Sequence, residues 1–130
     1  MFTYNHWHPR MWHDGKPIMG APLYSGHAEG LNNPALENVH DIGPIPAGKW
    51  RIARWDDHHG DKGPVVAVLE AVGHDAYGRS GFLIHGDNSQ GNFSASHGCI
   101  ITGLAIRTTM RDTGDTDLLV TNGIEPGVIA

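Results

Sequence analysis

Charge of either sign is scarce in this 130-residue sequence. Lysine, arginine, aspartate and glutamate together make up 18% of the chain, and the formal net charge is −5. No basic stripe is visible, which excludes a nucleic-acid backbone and an anionic membrane surface as partners, because both recruit positive charge. The sequence also lacks a run approaching the roughly 20 apolar residues of a membrane-spanning helix, so we expect no membrane insertion.

Cysteine is almost absent as well. Cys99 is the only one, so an internal disulfide cannot form, and its thiol is either a small buried apolar group or a reactive one. The first ten residues lack a basic start followed by an apolar run, so no secretory signal peptide is expected. We therefore expect synthesis in the cytoplasm. A role outside it would require export by a route other than a signal peptide.

Glycine and proline, by contrast, are plentiful, with 18 and 8 positions respectively. With so few charges, they indicate strands and turns rather than a helix bundle. Alternating or dense apolar residues predict strands over residues 49–55, 65–71, 82–85 and 118–121. The length and the absence of a linker predict one domain over residues 1–130.

The segments between these strands give weaker signals. Residues 24–34 are expected to form a loop, and residues 34–38 suit a short helix. Helical spacing predicts a helix over residues 101–113, with Thr102 as its cap and Gly114 at its end. The expected fold class is mainly β, a mixed α+β domain with one helix near the cysteine.

Cys99 stands in a segment that can supply the parts of a thiol active site. A thiol nucleophile needs a base to take its proton and donors to hold the oxyanion that its attack creates. His85 ends a predicted strand a short loop upstream and is followed by Gly86. An exposed histidine at a strand end can reach a thiol, whereas a buried one usually pairs with a backbone carbonyl. His85 is the predicted base, with a structural histidine as the alternative, and Gly86 is a predicted pocket residue.

The residues directly before the cysteine have their own predicted roles. Gly98 lacks a side chain, so a substrate can approach the backbone closely, and the N–H groups of Gly98 and Cys99 are predicted to hold the oxyanion. A helix starting after Cys99 would lower the pKa of the thiol. His97 is the other candidate base, but adjacency hinders a clean contact, so it is assigned to the pocket or to a solvent-facing loop. Ser96 is expected to hydrogen-bond the backbone of the turn.

These residues resemble the motif of a known family. Histidine and glycine at 85–86, followed by Ser-His-Gly-Cys at 96–99, look like the motif of the L,D-transpeptidase (YkuD-type) catalytic domain. The likeness extends upstream to Tyr24-Ser25-Gly26, Asn32-Asn33-Pro34 and residues 43–50. Those segments resemble the branch of the superfamily that serves as antibacterial effectors of type VI secretion.

The resemblance implies a fold, an activity and a substrate. The fold is an L,D-transpeptidase-like β-sandwich or barrel with a helix near the catalytic cysteine. Cys99 matches the nucleophile, His85 the general base, and Gly98 with Cys99 the oxyanion positions. The implied substrate is the tetrapeptide stem of bacterial peptidoglycan, trimmed by L,D-carboxypeptidase action or altered by L,D-transpeptidase exchange. No cofactor and no metal is implied.

The effector branch also implies partners and a place of action. Delivery by a contractile secretion machine would bring the protein from the cytoplasm that makes it to the periplasm of a target cell. The expected partners are peptidoglycan stems, a cognate immunity protein that blocks the active site and a component of the secretion machine.

One position departs from the motif. Cell-wall transpeptidases of this family usually have arginine two positions after the cysteine, where this sequence has Ile101. The anchor for a substrate carboxylate is therefore unassigned. Arg79, just before the His85 strand, is either a replacement anchor or a surface arginine without a partner. Tyr24 is a further candidate for substrate binding.

Other interpretations stay open. His6 and His8 would share one face of a strand and make a metal site conceivable, but no glutamate or cysteine with ligand spacing accompanies them. A phage or cell-wall cysteine peptidase is an alternative enzyme, although papain-like enzymes usually place cysteine before histidine. A non-catalytic peptidoglycan-binding domain is the alternative outside enzymes.

Overall fold

The computed structural model describes residues 1–20 and 23–123, and the strands in that range form one nine-stranded sheet. They are β1 Phe2–Asn5, β2 Met11–His13, β3 Lys16–Ile18, β4 Leu23–Ser25, β5 Gly48–His58, β6 Pro64–Val72, β7 Leu83–His85, β8 Ile100–Thr102 and β9 Asp117–Thr121. Their order across the sheet is β3-β2-β1-β9-β5-β6-β7-β8-β4. Strands β7 and β8 are therefore direct neighbours, although the loop over residues 86–99 separates them along the chain.

The hairpin of β5 and β6 is the longest element of the sheet. Its register runs from Lys49 opposite Val72 to His58 opposite Pro64, with a bulge between Ile52 and Arg54. Most pairings are antiparallel, but β1 pairs with β9 and β7 pairs with β8 in parallel. The four strands expected from apolar patterns are present, and β5 and β6 extend beyond the predicted ends.

One α-helix, α1, is found in the described residues and spans Leu104–Thr113. Its buried apolar residues, Ile106 and Met110, lie four apart, as one face of a helix requires. Gly114 ends it in the left-handed conformation, with φ 74°, as predicted. The predicted start was wrong: residues 100–102 form strand β8, and Gly103 rather than Thr102 precedes the helix.

The core is built from the inward faces of the sheet strands and the apolar face of α1. Its members are buried apolar residues contributed by β1, β5, β6, β7, β8, β9 and the helix: Phe2, Tyr4, Trp50, Ile52, Ala67, Leu69, Ile84, Ile100, Ile106, Met110, Leu118 and Val120. The ring of Trp50 meets Phe82 edge-on at a centroid distance of 4.9 Å. Each fully buried isoleucine, leucine, valine, phenylalanine or methionine among them stabilises the fold by about 1.5–3 kcal/mol.

Short segments complete the fold. Four 3-10 helices occur among the described residues: Ala28–Gly30, Pro34–Leu36, Gly60–Lys62 and Ala76–Gly78. The short helix expected after Pro34 is present as one of these, whereas β4 lies within the segment predicted to be a loop. None of the helices in the described part of the chain is long and apolar enough to cross a membrane. The prediction of a mainly β fold with one helix is confirmed.

Candidate active site

Cys99 stands immediately before β8, level with the first residue of β7. In the parallel register Ile84 pairs with Ile100 and His85 pairs with Ile101, so Cys99 comes level with Leu83. The N–H of Leu83 donates to Sγ of Cys99 at 3.3 Å, and the thiol donates to the carbonyl oxygen of Gly81 at 3.6 Å. Cys99 as a residue is half-buried. Its sulfur is therefore held between two backbone groups.

The surroundings of Cys99 act on its protonation in opposite directions. Burial raises the pKa of the thiol above its ordinary value, whereas the Leu83 N–H and the positive charges of Lys62 and Arg79 lower it. The net result is a raised pKa. The expectation that a helix begins at the cysteine and lowers this pKa was wrong, because β8 stands between Cys99 and α1.

His85 ends β7 and is buried, with 3% of its surface exposed. This burial and the contact of its ring with a backbone carbonyl match the structural alternative, although the ring keeps one nitrogen for a base. Its Nδ1 lies 2.8 Å from the carbonyl oxygen of Gly86, which can only accept a hydrogen bond, so Nδ1 carries the proton and Nε2 the lone pair. Burial lowers the pKa of His85, and the charges of Lys62 and Arg107 lower it further, whereas the hydrogen bond to Gly86 raises it. The net result is a lowered pKa. A neutral imidazole with a free Nε2 is the form that can accept a proton.

The two side chains lie on adjacent strands. His85 is two residues beyond Leu83, the residue level with Cys99. A two-residue offset of about 6.6 Å and a strand spacing of about 4.8 Å put their backbones about 8 Å apart, a distance that an imidazole side chain can largely bridge. Both groups also feel the charge of Lys62. The fold thus places the predicted nucleophile and base on neighbouring parallel strands, two residues apart in register.

Ser96 organises the turn before the cysteine. Its Oγ accepts hydrogen bonds from the N–H groups of Gly26 and Gly98, at 2.8 and 3.1 Å, and donates to the carbonyl oxygen of Cys99 at 2.6 Å. The Gly98 N–H is therefore already engaged and does not point to an oxyanion as predicted. Of the two predicted donors, the Cys99 N–H remains.

Arg79 has neither of the roles proposed for it from the sequence. It is buried, with 7% exposed, and the two ends of its guanidinium donate to four backbone carbonyls, those of Glu37, Gly43, Pro44 and His97. It therefore clamps two loops together instead of anchoring a substrate carboxylate or lying free on the surface. Gly98 permits this: its φ is +135°, and an added Cβ would lie 2.6 Å from Nη2 of Arg79.

Tyr24 is likewise fixed by internal contacts. It is fully buried on β4, and its hydroxyl donates to Oδ1 of Asp87 at 2.6 Å while accepting from the N–H of Ala95 at 3.1 Å. Burial, with the bond to Asp87, raises the pKa of Tyr24 to about 12. The ring also meets Phe93 edge-on at 5.3 Å. Tyr24 thus fastens the loop over residues 86–99 and does not face a substrate, contrary to the prediction.

A cleft of about 310 Å³ opens next to His85. It is lined by nine residues: Asp61, Lys62, His85, Gly86, Asp87, Asn88, Ser94, Ala95 and His97. His97 is exposed and its ring lies 4.8 Å from that of His27, which bonds the carbonyl oxygen of Ser96 through Nδ1 at 2.7 Å. Gly86 and His97 therefore stand in the pocket assigned to them, while the imidazole of His97 packs against a second histidine.

Two cationic residues of the site were missed. Lys62 lies at the tip of the β5–β6 hairpin and lines the cleft, and Arg107 is buried on α1. An added Cβ on Gly86 would come within 2.9 Å of Nη1 of Arg107, so the arginine packs directly beneath the residue after His85. No motif marks these two residues. The available signals were Lys62 in a polar hairpin tip and Arg107 on the apolar side of a helix pattern.

The histidines considered for a metal do not share a site. His6 is buried and its Nε2 lies 2.7 Å from the carbonyl oxygen of Ile45, while His8 is exposed beyond the end of β1. Ligand atoms of His13, Asp14 and Asp115 do lie within 4.8 Å of one another. Both carboxylates pair with the ammonium of Met1, at 2.7 and 2.5 Å.

Sequence comparison finds one family. The model of the Tlde1 domain matches residues 20–118 of the chain. No curated protein sequence matches this chain.

Solved structures with the same fold are L,D-transpeptidases. One from Enterococcus faecium has a TM-score of 0.59 at 16% identity, covering 92% of this chain and 48% of that one. One from Xylanimonas cellulosilytica has a TM-score of 0.57 at 18% identity, covering 92% and 59%. One from Mycobacterium smegmatis has a TM-score of 0.55 at 14% identity, covering 92% and 57%. At these identities the likeness is one of fold, and the chain spans about half the length of the first structures it matches.

Proposed function

The chain belongs to the Tlde1 domain family, a family of type VI secretion effectors of the L,D-transpeptidase type, and from this premise we propose that it modifies peptidoglycan stem peptides with Cys99 as nucleophile and His85 as base. The observation that supports this most directly is a half-buried cysteine directly before β8, whose parallel neighbour β7 ends in a neutral histidine. A cleft large enough for part of a peptide opens at that histidine.

In the first step the sulfur of Cys99 attacks the carbonyl carbon between the L-centre of diaminopimelate and the terminal D-alanine of a tetrapeptide stem. The S–C bond forms, the carbonyl electrons move to oxygen, and the thiol proton passes to Nε2 of His85. Burial raises the pKa of the thiol and lowers that of the histidine, so both groups are neutral at rest. The proton therefore moves as the bond forms rather than before it.

Cys99 and His85 also act on the oxyanion and on the leaving group, respectively. The Cys99 N–H is the candidate donor to the oxyanion, since the Gly98 N–H is engaged by Ser96. When the intermediate collapses, the C–N bond breaks and the imidazolium of His85 gives its proton to the nitrogen of the departing D-alanine. A thioester on Cys99 remains.

The second half of the reaction resolves that thioester. Water or an amine attacks the carbonyl carbon, His85 takes the proton of the attacking group, and the sulfur regains a proton as the S–C bond breaks. Water gives a shortened stem, which is L,D-carboxypeptidase action. The amine of a second stem or of a free D-amino acid gives a crosslink or an exchange, which is L,D-transpeptidase action.

Family membership supports a role outside the cell that makes the protein. We propose delivery by a type VI secretion machine to the periplasm of a target cell, where stem peptides are present. An immunity protein in the producing cell would protect it by covering the cleft beside His85.

Digestion of purified muropeptides followed by mass spectrometry tests the chemistry. We expect tetrapeptide stems to lose the mass of one alanine with the unaltered protein and to stay intact with Cys99→Ala and His85→Ala, because each variant lacks one partner of the proton transfer. His58→Ala, which changes an exposed histidine of β5, is the matched control and should trim normally.

Intact tetrapeptides in the presence of folded, unaltered protein would refute the proposal. Binding without trimming would identify a peptidoglycan-binding domain instead. Cleavage at another bond of the stem would identify a different cysteine peptidase.

A further inference from the structure

The two buried arginines near the site donate mainly to the protein itself. The guanidinium of Arg79 is used by four carbonyls, as described above. Arg107 donates to the carbonyl oxygens of Val65 and Pro64, at 2.9 and 3.2 Å, and to that of Thr102. Ile101, where related cell-wall enzymes are expected to carry arginine, is apolar and fully buried. A cation without such partners is therefore the better candidate to meet a substrate carboxylate.

Lys62 differs from both arginines. It is half-buried in the wall of the cleft, and it is the only lysine or arginine among the nine lining residues. None of the ion pairs within residues 1–20 and 23–123 involves its ammonium. Its charge is thus directed to a cavity rather than to a partner in the protein.

The backbone that carries Lys62 is fixed in place. The N–H of His59 donates to the carbonyl oxygen of Gly63 at 2.9 Å, and the N–H of Lys62 donates to that of His59 at 2.8 Å. The side chain of His59 bonds Asp56 at 2.7 Å. Arg107 holds the start of β6, directly after this turn. The hairpin tip therefore presents Lys62 in a defined place, which lowers the entropic cost of binding a ligand there.

We propose that Lys62 pairs with the terminal carboxylate of the stem peptide, the carboxylate of the D-alanine that leaves. The inference rests on the proposed function. That carboxylate is one carbon removed from the nitrogen of the scissile amide, so its partner must stand close to the reacting thiol and base. Lys62 meets this requirement at the base, since it lines the same cleft as His85. The other charged residues of the lining, Asp61 and Asp87, are acidic and would repel a carboxylate.

Binding measured without turnover tests the inference. The probes are the tetrapeptide L-alanyl-γ-D-glutamyl-meso-diaminopimelyl-D-alanine and its C-terminal amide, titrated calorimetrically into the Cys99→Ala protein. The amide differs from the acid only in the carboxylate at issue. In that background Lys62→Gln removes the charge, Lys62→Arg keeps it, and Lys49→Gln removes an exposed lysine of β5 as the matched control.

We expect the acid to bind about tenfold more tightly than the amide, the size of one charge-assisted contact in a partly exposed site. Lys62→Gln should weaken binding of the acid to the level of the amide and leave the amide unchanged. Lys62→Arg should keep the preference, and Lys49→Gln should not alter it. Thermal melting of each variant verifies folding.

Two results would overturn the inference: acid and amide that bind equally or not at all, or a preference that survives in Lys62→Gln. Its failure is separable from that of the proposed function. Trimming by the unaltered protein with a preference independent of Lys62 retains the function and rejects the anchor. A Lys62-dependent preference without any trimming retains the anchor and rejects the function.

Discussion

At the residue scale, contacts rather than residue type decide what a side chain does. Arg79 and Lys62 carry the same charge near the same thiol, yet four carbonyls take up the guanidinium of the first while the second faces a cavity. The residues that flank Arg79 in sequence do not predict these contacts, because the carbonyls belong to distant residues: Glu37, Gly43, Pro44 and His97. The sequence therefore indicated Arg79, whose donors are taken up by the protein, and gave no sign of Lys62, which faces the cleft.

The pKa of Cys99 leads to a prediction for alkylation by iodoacetamide, which reacts with the thiolate. Because the pKa is raised, less thiolate exists at any pH near neutrality, so the midpoint of the rate against pH should lie above about 8.5, the value of a free thiol. Removing the positive charge in Lys62→Gln should raise the midpoint further, whereas Lys49→Gln should leave it unchanged. A midpoint below that of free cysteine, measured by mass spectrometry, would contradict the prediction.

At the scale of elements, the chain after the cysteine was the segment that sequence patterns described least well. Residues 101 and 102 are predicted to begin a helix but belong to strand β8, Ile100–Thr102. Short apolar runs fit either structure, but two isoleucines and a threonine in succession are β-branched and favour a strand. The error mattered for the chemistry, because the helix terminus predicted at Cys99 is absent. The parallel pair of β7 and β8 stands there instead.

Arg107 joins two elements, because a residue of α1 holds the start of β6 through Pro64 and Val65. Arg107→Ala should lower the free energy of unfolding by about 2 kcal/mol or more, since buried carbonyls lose their donors. Arg111→Ala, on the same helix but pairing with Asp112 near the surface, should change it by about 0.5 kcal/mol or less. Urea denaturation measures both values. Equal effects of the two substitutions would show that Arg107 does not brace the hairpin.

At the scale of the whole molecule, sequence patterns predict the features that depend on residues close together in the chain. The central strands and the end of α1 follow from local patterns, and a short motif predicts the pair of Cys99 and His85. The strand order does not, since β4 pairs with β8 and β1 with β9 across most of the chain. The cleft depends on that order, because it places the hairpin tip with Lys62 beside the loop over residues 86–99. Tyr24 was misassigned for the same reason.

The proposed site of action gives a prediction for growth. Expression in a Gram-negative test strain with an added signal peptide for export to the periplasm should stop growth, because the stem peptides are there. The same chain expressed without that signal peptide should be tolerated, and Cys99→Ala should be tolerated in either form. Immunoblots of periplasmic fractions verify equal amounts. Equal toxicity of the exported and unexported proteins, or of the exported protein and its Cys99→Ala variant, would contradict the proposal.

The hydrogen bond from the N–H of Leu83 to the sulfur of Cys99 has a consequence for how this site varies during evolution. The donor belongs to the main chain, so every amino acid at position 83 except proline supplies it. Drift in the side chain at that position therefore cannot abolish the contact with the sulfur. Selection at position 83 therefore acts on side-chain packing alone. The hydrogen bond to the sulfur persists as long as strand β7 is kept.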